Sequence, residues 1–342
     1  MEHSVTIGIP VYQAANYIEA ALLSALDQTF AEVEVLVVDD GCTDGSMALV
    51  ERLCREHPRG SHIRVLTNEG NRGVGQSRNR IIDEAGGRWL YFLDSDDVMA
   101  ANALATLVAE AERCQSQVVY GSMERIWSDS GVRAGLMAYP LRRFDEPDQL
   151  AVHVFADYGA FQSSVCNCLY DLAFLRQTGI RFTDARFWED TTFTYELVTK
   201  AVRASLLSTV TYQYRCHEHS LSHYQQREHW SKQEVLDNVA TVDRMKQRCR
   251  QLCTKPYAGS YCYMVEMYSF YIVAHVLKNR RHILPGVTNA ELRSFLRFPL
   301  PLGRLLCFRQ RRLSCLLLWQ LSVLPAWLIP SVVNLIRKAK GL

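Results

Sequence analysis

The feature that most constrains this chain is an alternation that fills its first 120 residues or so. Short apolar runs at Val5–Ile9, Val33–Val38, Ile63–Leu66, Trp89–Leu93 and Gln117–Tyr120 are each too short for a buried helix. Between them, Asn16–Asp27, Asp44–Arg55, Gly75–Ala85 and Asn102–Cys114 carry apolar residues at helical spacing. Strand, helix, strand in this order is the signature of βαβ units around a mainly parallel sheet. Polar and Gly-rich residues cluster after each predicted strand, where an open α/β sheet binds ligands. The pattern weakens from 121 to 165, between and around Pro140 and Pro147, and returns as a predicted helix at Thr191–Ala201 and a strand at Ser208–Arg215. Beyond Trp230 the composition turns helical, with an aromatic run, YAGSYCYMVEMYSFYIVAHVL, spaced to pack on both sides.

Composition narrows the class further. With 342 residues, 48% apolar and 22% charged, the chain has enough material for a sizeable core, so global disorder and coiled coil are excluded. Its formal charge of +2 conceals a division. No acidic residue follows Glu291, while Arg293, Arg297, Arg304, Arg309, Arg311, Arg312, Arg337, Lys338 and Lys340 do. The first 291 residues therefore hold 29 of the 38 basic side chains and all 36 acidic ones, a net of −7. An acidic body argues against nucleic acid as a partner, and a basic tail argues for contact with an anionic surface. The eleven cysteines are scattered, and Cys166/Cys168 and Cys249/Cys253 lack zinc-knuckle or thioredoxin spacing. No basic-then-apolar leader opens MEHSVTIGIP, so a reducing, cytoplasmic setting is expected, with most cysteines buried as small apolar side chains.

Five clusters carry candidate chemistry. Asp39 and Asp40 in VLVVDDGCTDGS end one predicted strand, where carboxylates accept hydrogen bonds from a base or a ribose; Asp44 or Thr43 already suits the next helix cap. Asp94, Asp96 and Asp97, with Ser95, end another strand in WLYFLDSDDVM. Like charges so close repel unless a cation neutralises them, and hard oxygen ligands suit Mg²⁺ or Mn²⁺. The plainer alternative is a solvated strand end with one Asp capping a helix. NEGNRGVGQSRNRI offers Arg72 and Arg78 to a phosphate but is neither a P-loop nor a dinucleotide fingerprint, and a solvated Arg78 is equally compatible. Glu189 and Asp190 in RFWEDTTFTYEL fit a general base in a partly dry pocket, or plain capping of the following helix. His217, His219 and His223 lack further partners for a zinc site, and His217 is the best placed of them to meet phosphate or metal.

Taken in order, IPVYQAANYIEAALLSALDQTF, VEVLVVDDGCTDGS, NEGNRGVGQSRNRI, WLYFLDSDD and WED resemble the inverting, nucleotide-sugar-dependent glycosyltransferases of family 2, over roughly residues 4–225. The stretch SVCNCLYDLAFLRQTGIRF is similar to the segment before the ED motif in bacterial members. The resemblance implies a GT-A, Rossmann-like α/β fold with a C-terminal helical extension. It also implies that Pro10, Val11, Tyr12, Glu19, Asp39 and Asp40 lie near the nucleotide. By the same resemblance Asp94 and Asp96 form the DXD motif, holding Mg²⁺ or Mn²⁺ on the donor diphosphate, and Asp190 is the catalytic base. Gln13 departs from the Asn common after the Tyr, Cys168 stands where many relatives carry Lys, and the His-rich segment matches only loosely. The implied reaction is a single inverting displacement onto a glycan or lipid-linked acceptor in bacterial cell-envelope polysaccharide or lipopolysaccharide synthesis. A metal-dependent hydrolase and an inactive sugar-nucleotide-binding module are the rival readings. A nucleotidyltransferase is disfavoured, because IPVYQ stands where that chemistry needs a Gly-rich, Arg-containing loop.

The expected organisation is a transferase domain over 1–225, a helical extension over 226–302 and a tail over 303–342. Within the tail, 313–336 carries no charge and has basic flanks. Pro325 and Pro330 break it into halves too short to cross a bilayer, so a re-entrant or in-plane segment on the inner face of the cell membrane is expected. The plainer alternative is that Trp319, Trp327 and the leucines pack against the aromatic run at 257–277.

Overall fold

The structure is a computed structural model and describes residues 4–128, 130–156, 161–185, 188–217 and 230–339. The chain divides into two compact units: Met1–Leu150 with Ser163–Asp184 and Glu189–Ser220, and Ala151–Gln162 with Ala185–Trp188 and Leu221–Leu342.

The first unit is a mixed α/β layer. In chain order it contains β1 (Val5–Val11), α1 (Ile18–Leu26), β2 (Val33–Asp39), α2 (Ser46–Glu56), β3 (Ile63–Thr67), α3 (Val74–Glu84), β4 (Trp89–Phe92), β5 (Val98–Met99), α4 (Ala103–Cys114) and β6 (Val118–Trp127). These match the expected alternation, with β6 running well past the expected Tyr120. β7 (Arg133–Met137), β8 (Arg142–Phe144) and α5 (Gln149–Ala156) occupy the stretch where the pattern weakened, and α5 beyond Leu150 belongs to the second unit. β9 (Cys168–Asp171), α6 (Leu172–Thr178), α7 (Glu189–Lys200) and β10 (Ala204–Cys216) complete the series.

The strands form one sheet in the order β3-β2-β1-β4-β9-β6-β10-β5, with β7 on β6 and β8 on β10. β1 is parallel to both β2 and β4, so Gly8 lies across from Leu36 on one side and Phe92 on the other. The chain leaves β1 towards β2 and β3 and returns on the other flank as β4, which makes the carboxyl ends of β1, β2 and β4 a topological switch point. β1 and β2 are buried along their whole length, which is why they read as continuous apolar runs and not as alternation. Helix α3 crosses directly over Gly8: a Cβ there would stand 2.3 Å from Ile81 Cγ2, so only glycine lets the helix approach this closely.

The second unit is helical: α8 (Lys232–Gln251), α9 (Ala258–Lys278), α10 (Asn289–Phe295), α11 (Leu302–Leu305), α12 (Arg312–Val323) and α13 (Ile329–Ala339). Capping boxes start α8 (Ser231 with Glu234) and α10 (Thr288 with Glu291). Helix α9 is the aromatic run, and it is buried on nearly every side because helices pack around it. Lys246 is buried on α8 and donates to the carbonyls of Phe295 and Arg297 at 2.7 and 2.9 Å, with Glu266 of α9 at 3.5 Å. Burial pushes the Glu266 carboxyl up to about 8 against the opposing pull of Lys246. The break in the charge-free run falls at Pro325, between α12 and α13, whereas Pro330 sits in the first turn of α13, where its missing N–H costs nothing. No helix among the described residues is long and apolar enough to cross a membrane. All eleven cysteines are free, and six of them are buried.

Candidate active site

The site is built at the carboxyl ends of β1, β2 and β4. Pro10 and Val11 are the buried end of β1, and Tyr12, the next residue, is half exposed. Gln13 adopts a positive φ of 50°. Its amide donates to Thr43 Oγ1 at 3.0 Å and accepts from the Thr43 N–H at 2.8 Å, tying the end of β1 to the loop after β2.

The acidic pair at the end of β2 divides its labour. Asp40 accepts from Asn68 Nδ2 (2.8 Å) and from the backbone N–H groups of Arg72 and Gly73 (both 2.9 Å), so both of its oxygens brace the glycine loop before α3. Asp39 uses one oxygen on the N–H groups of Gly41 and Cys42; its other oxygen has no protein partner among the described residues. Gly41 has φ +84°, and a Cβ there would sit 2.9 Å from the Gly70 carbonyl carbon, which fixes glycine between the two loops. Asp44 accepts from the Ala15 and Ser46 N–H groups just ahead of α2, but the N-cap is Gly45, so neither Asp44 nor Thr43 takes the expected capping role. Glu19 lies on α1, where it forms an ion pair with Arg52 of α2 at 2.5 Å.

The three carboxylates after β4 are relieved of mutual repulsion by splaying onto different partners. Asp97 is buried and accepts from Tyr212 Oη (2.6 Å) and the Arg215 N–H (2.7 Å), which ties the cluster to β10. Burial, with Asp96 and Asp94 adding to it, pushes the Asp97 carboxyl well above the ordinary range. Asp96 faces His217, whose Nε2 is 2.8 Å from Oδ2. The His217 ring stacks on Tyr17 at 4.5 Å, and its buried Nδ1 has no partner among the described residues. Ser95 lies half buried between the two aspartates. His219 and His223 lie outside the described residues.

Asp94 turns to Arg78, and this contact organises the centre of the site. Arg78, on α3 and only 3% exposed, donates Nη2 to Asp94 (2.7 Å) and Nη1 to Asp190 (2.5 Å), with Glu189 at 3.3 Å. Its guanidinium also lies 5.4 Å from the Phe182 ring. Burial alone would depress the guanidinium, but Asp190 and Asp94 hold it well above its ordinary value. One cation serves three carboxylates, so it does not neutralise them all. Burial, then Asp190, pushes Glu189 up to about 8, and burial raises Asp190 against the pull of Arg78. Asp190 stands in the first turn of α7, which begins at Glu189, but its side chain turns to Arg78 instead of capping the helix. Its side chain keeps 24% of its surface open.

Tyr17 is the residue that sequence reasoning missed, because an aromatic beside the apolar face of a helix reads as core. Arg78, Asp94, Glu189 and Asp190 are each candidates in the sequence, but their meeting at Arg78 is not legible there, since two of the three carboxylates lie more than 100 residues from it. Among the described residues no three His, Cys, Asp or Glu side chains enclose a cation. Asp94 and Asp96 each keep about a third of their side-chain surface open, 29% and 32%. An open set of this kind suits Mg²⁺ or Mn²⁺, which bind through one or two carboxylates plus substrate phosphates.

Sheet order, switch point and carboxylate cluster define a GT-A-type α/β protein. The chain superimposes on Staphylococcus aureus TarS in complex with UDP-GlcNAc with a TM-score of 0.63 at 19% identity, covering 93% of this chain and 90% of that one. A mannosyltransferase from Pyrobaculum calidifontis in complex with GDP-Man and Mn²⁺ gives 0.55 at 16% identity over 98% and 88%. The sequence profile described as Glycosyl transferase family 2 matches residues 6–167 of this chain. The succinoglycan biosynthesis protein ExoO of Rhizobium meliloti is 29% identical over 66% of this chain and 64% of its own length. A glucosyltransferase of Escherichia coli, WfgD, named for a GlcNAc-diphosphoundecaprenol acceptor, is 35% identical over 38% and 49%. The chain spans less than two thirds of the length of several such relatives.

Proposed function

We propose that this protein is an inverting glycosyltransferase that moves a sugar from a nucleoside-diphosphate donor to a hydroxyl of a glycan or lipid-linked acceptor in cell-envelope polysaccharide synthesis. The observation that carries the reading is Arg78, which joins the DXD residue Asp94 to Asp190 within one hydrogen-bonded cluster. A base and a diphosphate-side carboxylate held by one buried guanidinium are what a single in-line displacement needs. Asp39, with one oxygen unclaimed, is the carboxylate suited to the nucleotide, while Asp40 shapes the loop around it. Pro10, Val11 and Tyr12 would flank the base.

In this mechanism Asp190 takes the proton from the acceptor hydroxyl. The freed oxygen attacks the anomeric carbon, and the carbon–oxygen bond to the diphosphate breaks on the opposite face. A carboxyl raised by burial is better matched to this transfer near neutral pH than an ordinary aspartate. Arg78 keeps the carboxylate oriented and offsets its charge. Asp94 and Asp96 would hold Mg²⁺ or Mn²⁺ together with the donor phosphates, and the ion would offset charge on the diphosphate. Names of relatives such as ExoO and WfgD support the envelope-polysaccharide setting.

The test is a thermal-shift screen of UDP-, GDP- and TDP-sugars with Mn²⁺, because a bound donor stabilises the folded state by mass action, by about 2.7 kcal/mol at 100 times Kd. The matching donor is then incubated with and without acceptor. Nucleoside diphosphate released only with acceptor supports transfer, release without it marks a hydrolase, and binding without release marks an inactive module. Asp190→Asn should keep the thermal shift and lower transfer by at least ~10²-fold. Near-normal turnover in that variant would remove Asp190 as the base.

A further inference from the structure

We propose that α12, α13 and the segment between them form an in-plane docking surface for an anionic lipid bilayer. The outward face of α12 is the starting observation. Its inward residues Cys315 and Leu321 are buried, with Cys315 Sγ 3.3 Å from the Gly259 carbonyl of α9. The opposite positions, spaced as one helical face, are Leu313 (72% exposed), Leu317 (58%), Gln320 and Val323. A helix that meets water on its outer side normally carries charge there. Here the one charge on α12 is Arg312 at its first position, and no residue from 313 to 336 carries any.

Trp327 (73% exposed) in the connecting segment and Leu335 (71%) on α13 extend the same character. Single exposed leucines need no explanation. Here, however, seven of the sixteen exposed large apolar side chains among the described residues fall within 302–335, a tenth of the chain. Such concentration marks an interaction surface.

Charge selects the occupant. Exposed Arg304, Arg309, Arg311 and Arg312 precede the apolar stretch, Arg337 and Lys338 close it, and no carboxylate follows Glu291. A second copy docking symmetrically on this face would bring the basic collars together, which like-charge repulsion opposes. Anionic headgroups meet the same collars favourably, each Lys or Arg near the surface adding attraction. The helices, ~18 and ~16 Å long, cannot cross ~30 Å of hydrocarbon and fit an orientation along the interface, where a tryptophan is well accommodated. This inference does not depend on the sugar-transfer reading.

The experiment is flotation of the full chain with vesicles of phosphatidylcholine alone or with about one third phosphatidylglycerol. The chain should float with the anionic vesicles, much less with the neutral ones, and less as salt rises. Leu317→Asp/Trp327→Asp should lower binding at least about tenfold with far-UV circular dichroism unchanged; Leu317→Ser/Trp327→Ser serves if the first variant misfolds. Arg309→Glu/Lys338→Glu should remove the preference for anionic lipid. Failure of the full chain to float, or equal flotation of the apolar variants, overturns the proposal. So does a dimer in sedimentation that Leu317→Asp/Trp327→Asp dissociates. The donor thermal shift, measured on the same preparations, fails separately if the sugar-transfer reading is wrong.

Discussion

Replacing Arg78 with methionine removes the one cation that, among the described residues, contacts Asp94, Glu189 and Asp190, while keeping most of the side-chain volume. The guanidinium is 3% exposed and lies 2.7, 3.3 and 2.5 Å from the three carboxylates. Breaking a buried ion pair from one side costs about 3–5 kcal/mol, because the remaining charge is left uncompensated. Here more than one carboxylate loses its counter-charge, while Glu189, pushed up to about 8, is largely neutral at pH 7, so a cost within that range is expected, a large share of the ~5–15 kcal/mol that holds a typical domain folded. The sign of the pH dependence follows from the carboxylates. Glu189 already stands at about 8 and Asp190 above its ordinary value, and Arg78 lowers both. Without Arg78 both rise further, so the folded variant keeps protons that the unfolded chain has already released. Stability that such groups contribute at low pH is lost as pH rises through their folded values. Urea unfolding followed by circular dichroism should therefore show a gap between Arg78→Met and the parent that widens from pH 6 to pH 9. Arg78→Lys should recover only part of it, since a point ammonium does not span three carboxylates. A loss below about 1 kcal/mol, flat across this range, would refute the idea that Arg78 holds the cluster together.

Donor binding should need a divalent cation: in calorimetry, EDTA or Asp96→Ala should weaken nucleotide-sugar affinity at least about tenfold, and unchanged binding would sink the metal assignment. Gly41→Ala places a side chain at φ +84° against the Gly70 backbone and should cost about 1–3 kcal/mol in thermal unfolding; a cost within about 0.5 kcal/mol would mean the two loops move apart freely. Burial, reinforced by Asp39 and Asp44, pushes the Cys42 thiol up to about 11. Alkylation at neutral pH should therefore modify exposed Cys307 roughly two orders of magnitude faster than Cys42, and comparable rates would contradict the half-buried, acid-flanked position.

The positions of β1 to β4 and of the helices between them follow from sequence alone, because a buried parallel strand and an amphipathic helix each impose a local period on the residues. The same locality put Asp39, Asp40, Asp94 and Asp96 at strand ends, and placed Glu189 and Asp190 at the start of a helix. What the period does not encode is partnership. Asp39 and Asp40 are indistinguishable as neighbours in a sequence, yet the loop ahead of α3 consumes both oxygens of one and leaves an oxygen of the other free. Three adjacent carboxylates read as one crowded charge, but the fold sends them to Arg78, to His217 and to Tyr212. Arg78 reads equally as a phosphate contact or as a solvated residue on a helix, and becomes the buried centre of a carboxylate cluster only because α7, more than 100 residues later, is folded against it. The placement of β9 between β4 and β6 is likewise a long-range outcome. In the tail, composition fixed a charge-free run between basic flanks and a break at Pro325. Which face of α12 meets α9 and which is left to solvent was decided by packing, since a run apolar on all sides offers no pattern from which to choose.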